Sequence, residues 1–221
     1  MEYQYIDLSH NIEDGMITYD GLPPSGICDF WSREESAKRY ISGTSFHIGK
    51  IEMVGNTGTY IDTPFHRYEE GKDLSETTVD QLVDIKGVLI SVPHQQGIEI
   101  NESVFKEYNL KEKAVLIHTG WDRFWRTDTY FRDHPYLTES AAQYLEEQQV
   151  KLVGIDSYNI DDTKGNRRPV HSILLKNKIF IVEHLCSLNR ISDEEFDFSA
   201  LPLKIKGMGS FSVRAYARIK N

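Results

Sequence analysis

Asn56-Thr57-Gly58-Thr59-Tyr60-Ile61-Asp62-Thr63-Pro64-Phe65-His66 is the stretch on which the reading of this chain turns. Alternate residues of an extended backbone point to one side, so Asn56, Gly58, Tyr60, Asp62, Pro64 and His66 are expected to share a face. A carboxylate and an imidazole then stand among backbone-bending residues, which is the composition of a site rather than of a core stripe. The plainer alternative is a strand edge that runs into a proline turn with a solvated Asp and His. Gly58 and Pro64 exclude a regular helix and predict a curled, extended path, fed by the weakly alternating Phe46 to Val54.

Outward from this stretch, Tyr5 to Leu8 reads as a short strand, and Gly15 to Gly26, with Gly21, Pro23 and Pro24, must be a loop able to cover something. Gly87 to Val92 and Ala114 to His118 are short apolar runs closed by turn residues, as buried strands are. Asn101 to Tyr108 suits a helix capped by Asn101. After a polar aromatic loop from Gly120 to Pro135, Thr138 caps a helix to about Gln149, with Ala141, Ala142 and Leu145 inward. Then follow strand Leu152 to Ile155, an Asp- and Arg-rich loop, a helix from Pro169 to Lys176, strand Ile179 to Val182, and late strands at Leu203 to Ile205 and Ser212 to Ile219. The expectation is one domain over residues 1–221, of α/β class with a mixed sheet.

Topology predicts a second cluster. His171 falls in the first turn of a helix that runs back antiparallel to the next strand, and Glu183 ends that strand. The start of the one and the end of the other share a sheet edge, so the two meet although twelve positions separate them. Asp156 ends the preceding strand and is expected on the same rim if the strands are parallel. His171, Glu183 and Asp156, converging with Asp62 and His66, would make an N/O site suited to Zn²⁺ or Mn²⁺. Each alone reads as a surface residue; the pattern of several carries the argument.

Composition narrows the partners. The 221 residues, 39% hydrophobic, suffice for one substantial core, and a net charge of -9 with dispersed signs argues against nucleic acid or an anionic membrane. A small-molecule substrate remains. Cys28 and Cys186 stand far apart in no metal-type spacing, so neither a disulfide framework nor a thiolate zinc site is indicated. With no basic flank and apolar run near Met1, and no apolar stretch of about 20 residues, a cytoplasmic protein is expected.

The quoted stretch resembles the motif His-x-Gly-Thr-His-x-Asp-x-Pro-x-His of the cyclase family of metal-dependent hydrolases, which includes kynurenine formamidase and isatin hydrolase. The likeness runs through Asp7-Leu8-Ser9-His10, the Tyr19 to Pro24 loop, His118-Thr119-Gly120-Trp121, His134-Pro135-Tyr136-Leu137, Gly154-Ile155-Asp156, His171 with Leu174 and Leu175, Glu183, and Leu201-Pro202-Leu203-Lys204. It implies a swivelling β/β/α fold, assembly as homodimers or homotetramers, and a metal site near the subunit interface. It also implies that Asp62, His171 and Glu183 are metal ligands and that His66 is the acid/base. Asn56 and Tyr60 stand where the motif has its first two histidines. Asn56 offers a carbonyl and Tyr60 a phenol with an ordinary pKa near 10, so they make either a weaker metal position or none. In the second case only the position built from Asp62, His171 and Glu183 is filled.

Hydrolysis of a small amide, lactam or lactone follows from this set, with Zn²⁺ or Mn²⁺ polarising the carbonyl and His66 moving the proton. Tyr19, Phe65 and Trp121 are candidate pocket walls. Arg67, Arg167 and Arg168 read either as grips for a substrate carboxylate or as solvated surface. His10, His47, His94, His118, His134 and His184 read as loop or strand-end residues; of these His10, and His184 although it should face away from Glu183, could reach the pocket. The rival readings are a metal-free cyclase or isomerase using Asp62, Tyr60 and His66, and a small-molecule-binding protein without catalysis.

Overall fold

Short apolar runs build the sheet by alternation: in Ala114–His118, Ala114 and Leu116 join the core on one face while Val115 and Ile117 join the core on the other. Each such side chain, once buried, contributes about 1.5–3 kcal/mol. The structure is a computed structural model and describes residues 2–192 and 195–220.

In chain order the strands are β1 (Tyr3–Asp7), β2 (Gly26–Trp31), β3 (Ile48–Glu52), β4 (Tyr60–Asp62), β5 (Ile85–Ser91), β6 (Glu99–Ile100) and β7 (Ala114–His118). They continue with β8 (Tyr136–Leu137), β9 (Leu152–Ile155), β10 (Phe180–Glu183), β11 (Phe196–Ser199), β12 (Ser210–Ser212) and β13 (Tyr216–Lys220). The helices are α1 (Arg33–Ala37), α2 (Val79–Leu82), α3 (Glu139–Glu147) and α4 (Pro169–Lys176). A nine-stranded mixed sheet has the order β1, β13, β11, β5, β7, β9, β10, β4, β12. Its middle strands β5, β7, β9 and β10 are parallel, and the flanking pairs are antiparallel. The α/β class with a mixed sheet is therefore as expected.

Two strands next to each other in the chain force the sheet to curl. β12 is at one edge and β13 near the other, yet only residues 213–215 link them. That link spans at most about 14 Å, whereas seven strand spacings in a flat sheet would take about 34 Å. The edges must approach each other, and a bridge from Ser9 to Leu185 and a hydrogen bond from Cys186 N–H to Leu8 O (3.0 Å) join the end of β1 to the end of β10.

On one face, α3 and α4 pack together through Ala141, Ala142, Leu145, Val170, Leu174 and Leu175. Thr138 caps α3 by accepting from Ala141 N–H at 3.2 Å, and Pro169 opens α4 where a missing N–H costs nothing. Three local expectations change. Asn101 does cap, but only one 3₁₀ turn, Glu102–Phe105, follows, because no apolar residue returns to the core between Phe105 and Leu110. Leu203 to Ile205 is not a strand; the bridge falls just before it at Pro202–Val213, Leu203 and Lys204 are exposed, and Ile205 turns back to donate to Leu203 O at 3.0 Å. Ser212 to Ile219 divides into β12 and β13 because its halves pair at opposite sides of the sheet. Among the described residues no helix is long and apolar enough to cross a membrane.

Candidate active site

β4 lies between β10 and β12, and the register of these three strands assembles the floor of the site. Tyr60 opposes Glu183 on one side and Ser212 on the other; Asp62 opposes Ile181 and Ser210. The Tyr60 hydroxyl accordingly donates to Glu183 Oε2, and the Ser210 hydroxyl donates to Asp62 Oδ1. Ile160 N–H donates to the other Glu183 oxygen at 2.6 Å.

The expected single extended register from Asn56 to His66 is confined to Tyr60–Asp62. Gly58 turns the chain before it with φ +68°, and Pro64–His66 forms a 3₁₀ turn after it. His66 returns to the cluster through that turn, which leans against Gly209 so closely that a Cβ there would lie 2.3 Å from His66 N. Its Nδ1 is 2.7 Å from Ser210 Oγ and 3.5 Å from Asp62 Oδ1. Since the one Ser210 proton goes to Asp62, His66 Nδ1–H donates to Ser210 and Nε2 is left bare. The His66 side chain is 36% exposed, the Asp62 side chain 0%.

At the start of α4, Asp161 accepts from Val170 N–H (2.7 Å) and His171 N–H (3.0 Å), and its Oδ2 is 2.6 Å from His171 Nδ1. This turns His171 Nε2 toward Asp62 Oδ2 at 3.6 Å and Glu183 Oε1 at 3.8 Å. Asp62 Oδ2 is buried without a hydrogen-bond partner. Zinc ligands about 2.0–2.1 Å from a tetrahedral ion stand roughly 3.4 Å apart, so an unpaired carboxylate oxygen facing an oriented imidazole nitrogen fits a divalent cation. One ligand atom each from Asp62, His66 and His171 lie within 4.8 Å of one another.

The electrostatics agree with a buried, mutually dependent cluster. Burial works against the Asp62 carboxylate, but the His66 and His171 imidazoles and the Ser210 hydroxyl hold its pKa below the usual range. Burial also works against charge on His171, yet the hydrogen bond to Asp161 and the nearby Asp62 and Glu183 carboxylates push it well above an ordinary histidine. Burial pushes Glu183 upward despite the pull of His171. Burial and the Glu183 and Asp62 carboxylates push the Tyr60 phenol well above 10, so it is a neutral donor. Above this floor a cleft of about 260 Å³ is lined by Tyr19 and Leu22 from the covering loop, Asn56, Tyr60, His66 and Arg67, and Asn159, Arg168 and His171.

The Cyclase family model, described as "Putative cyclase", matches residues 6–162. The chain belongs to the Cyclase family. Among curated proteins it is similar to a kynurenine formamidase of Geobacillus thermodenitrificans (strain NG80-2), 29% identical over 216 residues and covering 97% of each chain. A kynurenine formamidase of Bacillus thuringiensis (strain Al Hakam) is 28% identical over the same share. Among solved structures, a potential metal-dependent hydrolase with cyclase activity superposes with TM-score 0.80 at 24% identity over the whole of both chains. Isatin hydrolase A from Labrenzia aggregata superposes with TM-score 0.85 at 18% identity, over 99% of this chain and 94% of that one. These two likenesses show that the fold is shared.

Within this Cyclase-family chain the cleft gathers Asn56, Tyr60, His66 and His171, with Asp62 and Glu183 beneath, but it leaves out other expected residues. Phe65 and Trp121 do not line it: Trp121 is buried against Phe124 and donates its Nε1–H to Tyr130 O at 3.1 Å, so it anchors the 120–135 loop. Asp156 is on the strand-end rim yet faces away, accepting from Thr119 N–H (2.8 Å), Thr119 Oγ1 (2.5 Å) and Gly120 N–H (2.8 Å). Arg67 and Arg168 line the cleft, while Arg167 pairs with Glu139 at 2.8 Å. His10 stacks on Trp125 at 3.9 Å and His184 holds Tyr158 O at 2.7 Å; burial lowers them to about 4 and about 3, and neither lines the cleft. Asp161 and Ser210 escaped the sequence reading. The one signal for Asp161 was a carboxylate shortly before Pro169, where a helix start attracts negative charge.

Proposed function

We propose that this chain is a divalent-metal-dependent hydrolase of a small amide, lactam or lactone. The observation that carries the reading is Asp62 Oδ2, buried and unpaired, 3.6 Å from the Nε2 that Asp161 has aimed at it. Asp62 and His171 would hold the ion, with Glu183 Oε1 beside them, and this oxygen and nitrogen set suits Zn²⁺ or Mn²⁺. Such an ion, when bound, polarises a carbonyl and makes water acidic enough to lose a proton near neutral pH. His66 takes that proton on its bare Nε2 and returns it to the leaving nitrogen or oxygen. Its partial exposure above a fully buried Asp62 supports that part. Tyr19 supplies an aromatic wall, backed by Tyr158 at 4.8 Å between ring centroids. The formamidase and isatin hydrolase names of its relatives support the substrate class.

Assembly as a homodimer or homotetramer belongs to the same proposal. β2 and β3 form a separate two-stranded arm whose Ile27, Phe30, Ile48 and Ile51 are exposed, an apolar surface that a second copy would cover. The roots of the arm are next to Leu22 and Asn56, which line the cleft, so docking there would wall the cleft further. Light scattering of the wild type against a Phe30→Lys/Ile51→Lys variant tests it; a monomeric wild type contradicts it.

For the chemistry, chelator-stripped protein is assayed on N-formyl arylamines, isatin-like lactams and lactones, with and without Zn²⁺ or Mn²⁺. Turnover of one class that returns with the ion supports the proposal. Turnover undiminished by stripping, or none under any condition while a ligand raises the melting temperature, contradicts it.

A further inference from the structure

We infer that Tyr60 restricts this site to a single divalent cation per chain. The inference rests on the reading of the cluster as a cation site and is independent of the reaction assigned to it.

Two carboxylates and two imidazoles in one cavity are donors enough for a pair of ions sharing ligands, so the count turns on which lone pairs are still open. Asp62 gives Oδ1 to Ser210 and keeps Oδ2 unpaired. His171 gives Nδ1 to Asp161 and keeps Nε2. His66 gives one ring nitrogen to Ser210 and keeps the other. Glu183 has both oxygens engaged, Oε2 by the Tyr60 hydroxyl and Oε1 by Ile160 N–H at 2.6 Å, and it is Oε1, with a second lone pair to spare, that stands 3.8 Å from His171 Nε2. The donors that face one another are thus Asp62 Oδ2, His171 Nε2 and Glu183 Oε1, and one ligand atom each of Asp62, His66 and His171 lie within 4.8 Å of one another. They surround one position. Whether His66 ligates or stays the proton carrier alters the number of waters needed, not the number of ions.

A second ion would need the other side of Glu183, toward Asn56 and Tyr60. There the phenol oxygen is committed as a donor, and the ring has no room to swing aside: Tyr60 is 1% exposed and packs edge-on against His184 at 5.1 Å between centroids. The register fixes the arrangement, because Tyr60 on β4 directly opposes Glu183 on β10. An imidazole at position 60 would bring a lone pair to that place instead of a proton.

The test is the metal stoichiometry of the stripped full-length chain, measured without substrate by calorimetric titration with Zn²⁺ and by elemental analysis after dialysis. One equivalent is expected for the wild type, and a Mn²⁺-loaded sample should give the electron paramagnetic resonance spectrum of an isolated ion without exchange coupling. Two equivalents, or none, in the wild type would overturn the inference, and this needs no variant to fold. In Asn56→His/Tyr60→His, checked for native circular dichroism, two equivalents are expected; one would remove Tyr60 from its assigned part. A chain that binds one ion and hydrolyses nothing leaves the inference standing and sinks the hydrolase proposal. A hydrolase with two ions does the reverse.

Discussion

Nδ1 of His171 and Oδ2 of Asp161 stand 2.6 Å apart, and this contact decides which imidazole nitrogen faces the cleft. Asp161 also accepts the first free N–H groups of α4, so a single carboxylate starts the helix and aims the side chain in its first turn. Orientation of a ligating histidine by a carboxylate behind it is a recurring means of strengthening metal sites.

Asp161→Asn keeps one oxygen for Val170 N–H but turns an amide NH2 toward His171 N–H and Nδ1 and loses the charge behind the ring. Zinc affinity should fall roughly 10- to 100-fold, read by competition with a chromophoric chelator on protein that keeps its native circular dichroism. Unaltered affinity would show that His171 needs no such partner.

His66→Ala removes the group placed to carry the proton. Turnover should fall by ~10²-fold or more while bound metal per chain stays at the wild-type level. Loss of the ion together with turnover would make His66 a ligand first.

Much of this site was legible before folding, and the parts that were not share a cause. The helix-then-strand order brought His171 and Glu183 together on paper as in space, and period two correctly paired Tyr60 with Asp62. Ser210 could not be found, because it reaches Asp62 only through the pairing of β12 with β4 across 148 positions. Trp121 was misplaced because an aromatic residue in a loop carries no sign of which side of the loop is filled; here Tyr130 and Phe124 fill it. β2 was missed because five of its six residues are exposed, so burial leaves no alternation to read.

Acid should destabilise the fold through His10. Its pKa is lowered by burial from 6.5 to about 4, against a weaker opposing pull from Asp122. Between those values the unfolded chain binds a proton that the folded chain does not, so stability is retained above about pH 6.5 and lost as pH falls toward 4. The loss is on the order of 3 kcal/mol for this one group. Urea unfolding from pH 7 to 4.5 should show the decline, with a shallower slope in His10→Gln. Equal slopes would mean that His10 is protonated within the fold.

The central claim, that Asp62 and His171 face each other across the seat of a divalent cation, is tested most directly by anomalous scattering. Crystals soaked in Mn²⁺ or Zn²⁺ are measured on both sides of the metal's absorption edge. One peak between Asp62 Oδ2 and His171 Nε2, present only above the edge, is the predicted result; a map without density there, in crystals that carry the ion elsewhere, would contradict the account.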